Sequence, residues 1–177
     1  MGFLLLSGGA PMPANAQKAL AVPGYAVTLT AYNAVPGQTD DTPFETASGA
    51  YSNPEVVAAR SRDLASELPF GTIIELDGST VSSAGTCGFD VVERRIGYRV
   101  IADTMNARYT KRIDVLLDTQ ADYRTTDKGM KNAAQILGIC KDITIRVVGH
   151  VDINRIPKTQ AGLAAIVEHG ADILALR

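Results

Sequence analysis

The chain has 177 residues, of which 46% are hydrophobic and 20% are charged, and its formal net charge is −2. This composition is typical of one globular domain with a hydrophobic core, and it excludes a disordered chain. Lysine and arginine are scattered along the chain rather than clustered, which argues against a nucleic-acid-binding surface. We therefore expect no nucleic-acid partner. We also expect a monomer.

The first 16 residues contain an apolar run, Phe3 to Leu6, followed by Ala14-Asn15-Ala16. The second segment fits the small-x-small pattern that precedes a signal-peptidase cut, although the usual basic start is missing. The run is far shorter than the roughly 20 residues of a membrane-spanning helix. We expect residues 1–16 to be an export signal, with no stable membrane span, and the protein to be periplasmic, cell-wall-associated or extracellular. A disordered, mildly apolar start is the alternative interpretation.

The chain contains two cysteines, Cys87 and Cys140. An even number in an exported protein favours one disulfide, and two free buried thiols remain the alternative. No C-x-x-C segment occurs, and the two histidines are far apart in sequence. The sequence therefore predicts no zinc site, and we expect no cofactor.

Short strands separated by turns dominate the predicted secondary structure. Alternating or continuous apolar residues predict strands at residues 24–32, 56–60, 72–76, 89–92, 98–102, 112–117 and 143–151. A helical turn is predicted at 61–67, and helices at 127–137, from Asp127 as N-cap to Gly138 as stop, and at 159–176, broken near Gly170. Arg99 is expected on a solvated strand face.

The order of these elements limits the fold class. Helices are too few and too late in the chain for a doubly wound sheet. A closed β-barrel is the economical alternative, because closure removes exposed strand edges. We predict a mainly β fold in which residues 24–151 form a barrel with a short internal helix and residues 152–177 form a C-terminal helical extension.

Three carboxylates, Asp103, Asp114 and Asp118, lie among apolar strand residues. Acids in such surroundings are costly unless they are paired or hydrogen-bonded, so they are candidates for shifted pKa values. On one extended strand Asp114 and Asp118 would be about 13 Å apart. Asp103 ends a different strand and could lie across the sheet, about 5 Å from Asp114. We therefore expect Asp103 and Asp114 to couple, which would raise one pKa and create a general acid.

A structural interpretation of the same acids stays open on spacing alone. In it, Asp103 and Asp118 cap loops, and Asp114 forms an ion pair with Arg112 or Lys111.

The arrangement of the acids resembles the three-aspartate (3D) domain family. The matching motifs, in chain order, are Thr30-Ala31-Tyr32, Thr46-Ala47-Ser48-Gly49, Leu68-Pro69-Phe70-Gly71-Thr72, Asp103-Thr104, Arg112-Ile113-Asp114 and Asp118. They correspond to the family's opening strand, its T-A-S/T-G loop, its L-P-x-G-T turn and its three aspartates. The resemblance covers about residues 24–151.

This resemblance implies a six-stranded double-psi β-barrel and kinship with membrane-bound lytic transglycosylase A and stationary-phase muralytic enzymes. The transglycosylases cut the β-1,4 bond between N-acetylmuramic acid and N-acetylglucosamine in the glycan strands of peptidoglycan. They do so without water and leave a 1,6-anhydro sugar. By position, Asp114 would be the single acid/base, Asp103 would orient it and Asp118 would complete the acidic cluster. Thr46 would line the substrate site, together with Gly49 of the same loop. Tyr32 could stack on a sugar face, and a core tyrosine is the alternative interpretation.

The chain departs from the family pattern after the first aspartate. Met105-Asn106 follow Asp103-Thr104 where the family often has Gly-Gly, and the loop continues with Arg108, Tyr109 and Lys111. We expect a different groove wall at this loop. A non-catalytic glycan-binding or structural barrel is the alternative function. An aspartic-protease-like barrel is disfavoured, because the Gly that usually follows Asp-Thr is absent and the motif occurs once.

Overall fold

The computed structural model describes residues 24–37, 39, 42–79, 87–126 and 129–175, the last five by their backbone alone. The strands in this part of the chain are β1 (Gly24–Tyr32), β2 (Val57–Arg60), β3 (Thr72–Asp77), β4 (Arg99–Thr104), β5 (Arg112–Leu116), β6 (Asp122–Thr125), β7 (Gly129–Asn132) and β8 (Cys140–His150). Six of them close into a mixed barrel in the order β1-β5-β2-β4-β3-β8, and β6 and β7 form a separate hairpin. The pairs β1–β5 and β2–β4 are parallel, and the other four barrel pairs are antiparallel.

Alternating side chains fill the barrel interior. Every barrel strand contributes fully buried residues to one apolar cluster, the interior cluster, among them Leu29, Ala58, Ile74, Ile101, Ile113 and Ile145. Because successive side chains on a strand point to opposite faces, the residues between these positions face outward. The expected closed six-stranded β-barrel is confirmed, and its closure leaves none of these six strands with an open edge.

The segment predicted as a strand at 89–92 is instead the first helix, α1 (Phe89–Ile96). Its buried residues, Phe89, Val92 and Ile96, recur with helical rather than alternating spacing, and they pack on the interior cluster. The helix ends before Gly97, whose φ of 53° favours glycine. The strand prediction was wrong because it relied on the short run of apolar residues and not on their helical spacing.

The helix predicted at 127–137 is shorter than expected. Its first half is strand β7, and α2 (Ala133–Leu137) begins after Asn132, whose side chain accepts a hydrogen bond from the Ala134 amide. Asp127, the predicted N-cap, lies outside the described residues. Gly138 ends the helix as expected, with a φ of 63°.

The C-terminal helix α3 (Gln160–Ala175) runs through Gly170, so the predicted break there was wrong. Fully buried Leu163 packs against a second apolar cluster on the outer face of the barrel, together with Val57 and Val100. The side chain of Gln160 accepts a hydrogen bond from the Tyr98 amide and donates to the Tyr98 carbonyl. These contacts dock α3 on the barrel beside the start of β4. None of the described helices is long and apolar enough to cross a membrane.

Arg99 is fully buried rather than on a solvated strand face. Its guanidinium donates to several main-chain carbonyls, those of Ile96, Pro54, Leu116, Arg95 and Val57. Burial lowers the pKa of Arg99 to about 9. The side chain joins the end of α1 to two barrel strands, because buried carbonyls need donors that the local backbone does not supply.

A disulfide joins Cys87 to Cys140, across 53 positions of sequence. Cys87 precedes α1 and Cys140 opens β8, so the bridge ties the α1 segment to the barrel. This matches the disulfide interpretation of the two cysteines and excludes free thiols, since no described cysteine is unpaired.

Candidate active site

Four residues on four neighbouring strands form one row on the outer face of the barrel. Thr30 of β1 pairs with Asp114 of β5, Asp114 pairs with Ala59 of β2, and Ala59 pairs with Asp103 of β4. The predicted direct pairing of Asp103 with Asp114 was therefore wrong, because β2 lies between their strands. Two strand spacings separate the Cα atoms of the two acids by about 9.6 Å. The side chain between them, that of Ala59, is only a methyl group.

A β-bulge brings Asp103 into this row. The β2–β4 register passes from Ala58 opposite Ile101 to Ala59 opposite Asp103, so Ala102 is an extra residue in β4. Ile101 faces the interior, and in a regular strand Asp103 would face the same side. The bulge turns Asp103 to the outer face, where the hydroxyl of Tyr32 reaches it.

Asp114 lies in a largely desolvated position at the floor of a cleft. Its Oδ1 accepts a hydrogen bond of 2.8 Å from the Thr30 hydroxyl. Burial is the main cause that raises the pKa of Asp114 to about 6, with a smaller contribution from the charge of Asp103. The Thr30 hydrogen bond and the charge of Arg112 oppose this rise. The raised pKa was predicted from like-charge coupling, but desolvation is its larger cause.

No ion pair in the described part of the chain involves Asp114, so the predicted alternative of a pair with Arg112 or Lys111 is not formed. A carboxyl group with a pKa near 6 carries its proton in about one molecule in ten at pH 7. It can therefore act both as an acid and, once ionised, as a base.

Asp103 is held by three hydrogen bonds. Its Oδ2 accepts from the Tyr32 hydroxyl at 3.0 Å, and its Oδ1 accepts from the amides of Ala47 and Thr104 at 2.9 and 2.8 Å. Burial, followed by the charge and hydrogen bond of Asp103, raises the pKa of Tyr32 far above its ordinary range, so Tyr32 remains a donor. Asp103 thus ties β1, β4 and the loop at residues 46–50 together.

The two acids open into a cleft of about 730 Å³. Of the predicted site residues, the cleft brings together Asp114, Asp103 and Tyr32. Tyr32 is only 9% exposed and its ring belongs to the outer apolar cluster, so little of the ring is available to a ligand.

The remaining predicted residues do not line this cleft. Buried Thr46 shares a hydrogen bond with the Ser48 hydroxyl and donates to the Ala50 carbonyl, and so shapes the loop that Asp103 anchors. Gly49 sits at the turn of that loop with a φ of 82°, which favours glycine. Exposed Asp118 accepts a local hydrogen bond from the Gln120 amide, as the structural interpretation of that acid requires.

Several residues in the cleft or in contact with its acids were not anticipated as site residues. Ala59 is the spacer between the acids, Thr30 is the direct partner of Asp114, and Arg62 lines the same cleft as Arg108. Thr30 could have been found from its spacing, because it lies two residues before Tyr32 and shares its strand face. Ala59 carries no chemical signal and is identified by the strand order alone.

Among the described residues, no group of three or more His, Cys, Asp or Glu side chains could hold a metal ion. No protein-family model matches the chain, and a search of curated proteins gives no match either.

Proposed function

We propose that the protein is a peptidoglycan lytic transglycosylase, a carbon–oxygen lyase that cleaves the bond between N-acetylmuramic acid and N-acetylglucosamine. The observation that carries this proposal is a desolvated carboxyl group, Asp114, with a pKa of about 6, at the floor of an open cleft. The 3D-domain motifs support it, because the cleft contains two of the three aspartates. The double-psi topology of that family is part of the same proposal.

In the proposed reaction Asp114 acts twice. Its carboxyl proton passes to the O4 leaving group of N-acetylglucosamine while the C1–O4 bond breaks. The C6 hydroxyl of the muramic acid residue then attacks C1, and its proton passes to the Asp114 carboxylate. The products are a 1,6-anhydro sugar and a new free 4-hydroxyl end, and the enzyme regains its proton.

The hydrogen bonds of Asp103 argue against a two-carboxylate hydrolysis. Inverting glycosidases hold two carboxyl groups about 6.5–9.5 Å apart, and the Cα atoms of Asp103 and Asp114 are about 9.6 Å apart across Ala59. A general base needs a lone pair directed at water, however, and Asp103 already uses three of its roughly four acceptor positions. We assign Asp103 to positioning the cleft loop and adding negative charge near Asp114.

The other predicted site residues fit supporting roles in this proposal. Thr46 and Gly49 shape the loop anchored by Asp103, and Tyr32 holds the Asp103 carboxylate. Asp118 caps a turn after β5, so we assign it no contact with substrate.

Export is proposed with this function, because the substrate lies outside the cytoplasm. The Cys87–Cys140 disulfide supports an oxidising compartment. The predicted signal at residues 1–16 lies outside the described residues.

The test is mass spectrometry of peptidoglycan digested in ¹⁸O-labelled water. A transglycosylase gives 1,6-anhydro products without ¹⁸O, whereas a hydrolase incorporates one labelled oxygen at each new reducing end. The Asp114→Asn variant, which keeps the size of the side chain, should give no product while its circular dichroism is unchanged. Full activity in this variant would exclude Asp114 as the acid.

The second candidate, a non-catalytic glycan-binding barrel, makes the opposite prediction. Wild-type protein would then bind sacculi, and prolonged digestion would release neither anhydro nor ¹⁸O-labelled fragments.

A further inference from the structure

One wall of the cleft is basic. Arg108, in the loop between β4 and β5, and Arg62, in a short 3₁₀ turn (Arg62–Leu64), line the same cleft as Asp114. Both arginines are exposed. The cleft therefore has the carboxylates of Asp103 and Asp114, two guanidinium groups and one further carboxylate, that of Glu45, in its lining.

The guanidinium of Arg108 is held in place by the ring of Tyr109. The two groups lie 4.7 Å apart, and Arg108 also donates a hydrogen bond of 2.8 Å to the Tyr109 hydroxyl. The guanidinium of Arg112 lies 4.6 Å from the centre of the same ring. Such contacts fix the plane of a guanidinium and lower the entropy lost when it binds an anion.

A backbone contact connects the two parts of this wall. The amide of Lys111, at the end of the Arg108 loop, donates to Asp63 Oδ2 at 2.9 Å, and Asp63 lies in the turn that carries Arg62. Lys111 takes a φ of 47°, which few residues other than glycine adopt, so the surrounding contacts hold the loop end in this form. Arg62 and Arg108 therefore belong to one connected surface.

These arginines have no carboxylate partner in the part of the chain that the structure describes. Both ion pairs found there belong to Arg146, which lies on β8. The Nε atom of Arg112 is buried and has no hydrogen-bond partner among the described residues. Arginine binds carboxylates through paired, parallel hydrogen bonds, so unpaired guanidinium groups beside a cleft suit a carboxylate ligand.

We propose that Arg62 and Arg108 form a carboxylate-binding subsite, which makes the cleft select glycans that carry free carboxylates over neutral glycans. This inference rests on the proposed function and specifies its substrate class. In peptidoglycan the carboxylate can come from a stem peptide or from the lactyl group of a muramic acid residue that has lost its peptide. Either source meets the same chemistry at the two arginines.

The test measures binding by titration calorimetry in the Asp114→Asn background, where cleavage does not interfere. Three probes of equal glycan length separate the sources: a peptide-bearing fragment, a peptide-free fragment with its lactyl carboxylate, and a neutral chito-oligosaccharide. Arg108→Gln and Arg62→Gln should each weaken binding of a carboxylate probe about tenfold and leave the neutral probe unchanged. Arg108→Lys should recover part of the loss.

The matched control is Arg94→Gln on α1, an exposed arginine that does not line the cleft. It should change no affinity. Equal affinities for charged and neutral probes, or losses in Arg94→Gln as large as in Arg108→Gln, would overturn the subsite.

The outcomes also separate this inference from the proposed reaction. Arginine-dependent binding of a carboxylate probe, without anhydro product from the wild type, retains the subsite and rejects the transglycosylase. Anhydro products at rates independent of Arg62 and Arg108 retain the reaction and reject the subsite.

Discussion

The two acids of the cleft share one row of the barrel but have opposite surroundings. Asp103 accepts three hydrogen bonds, two of them from main-chain amides, whereas Asp114 accepts one in the structure, from the Thr30 hydroxyl. Asp114 is instead dominated by burial, which raises its pKa to about 6. Position in a motif therefore does not determine an acid's role. The balance between desolvation and hydrogen bonding does.

The pH dependence of stability is the sharpest test of this difference. The pKa of Asp114 rises from about 3.9 in an unfolded chain to about 6 in the folded protein. The folded state therefore binds this proton more tightly, so its stabilisation is complete below about pH 4 and is lost as the pH rises through 6. The free energy of unfolding of the wild type, minus that of Asp114→Asn, should fall by about 3 kcal/mol between pH 3 and 8.

Urea unfolding of both proteins across this pH range measures the difference. Parallel stability curves would show that burial does not perturb Asp114.

Enlarging the side chain between the acids should obstruct the cleft between them without removing either carboxylate. Ala59→Leu adds a branched side chain at a position that is 4% exposed, between Asp103 and Asp114. We expect activity on peptidoglycan to fall about 100-fold, because displacement of substrate by about 1 Å has effects of that size. Ala59→Ser, which adds one oxygen atom, is the control and should retain most activity. Similar rates in both variants would mean that substrate does not pass over Ala59.

Removing the carboxylate of Asp103 should lower the stability of the fold more than removing that of Asp118. Asp103→Ala leaves the Tyr32 hydroxyl and the Ala47 amide without their acceptor, so we expect a loss of about 2 kcal/mol in the free energy of unfolding. Hydrogen exchange at Ala47 should speed up. Asp118→Ala is the matched control, because its carboxylate is exposed and bonds one local amide, and it should lose less than about 1 kcal/mol. An equal loss of stability in both variants would contradict the role of Asp103 in holding Tyr32 and the loop at residues 46–50.

The smallest expected effect concerns the single partner of Asp114. Thr30→Val keeps the shape of the side chain but removes the hydrogen bond that lowers the pKa of Asp114. The pKa should rise by up to about one unit, since a hydrogen bond to a charged group is worth about 1.5 kcal/mol. Carbon-13 NMR titration of the Asp114 carboxyl group measures this independently of activity. A lower pKa in the variant would contradict the assigned direction.

Local sequence patterns predicted most of the strands and the fold class. Strand signals are local, because alternation of apolar residues at 24–32 or 112–117 reflects burial of one face. The same local information marked Asp103 and Asp114, since acids in apolar strands are unusual. Where local signals conflicted, at 89–92 and 127–132, the prediction failed: one apolar run was helical and one helical pattern contained a strand.

How the acids meet depends on the tertiary fold. The placement of β2 between β4 and β5, the bulge at Ala102 and the partnership of Thr30 with Asp114 all depend on which strands become neighbours. Strand pairing joins residues distant in sequence, and one inserted residue reverses the face to which a side chain points. For that reason the chemistry of the acids could be suspected from the sequence, whereas their separation, partners and protonation required the closed barrel.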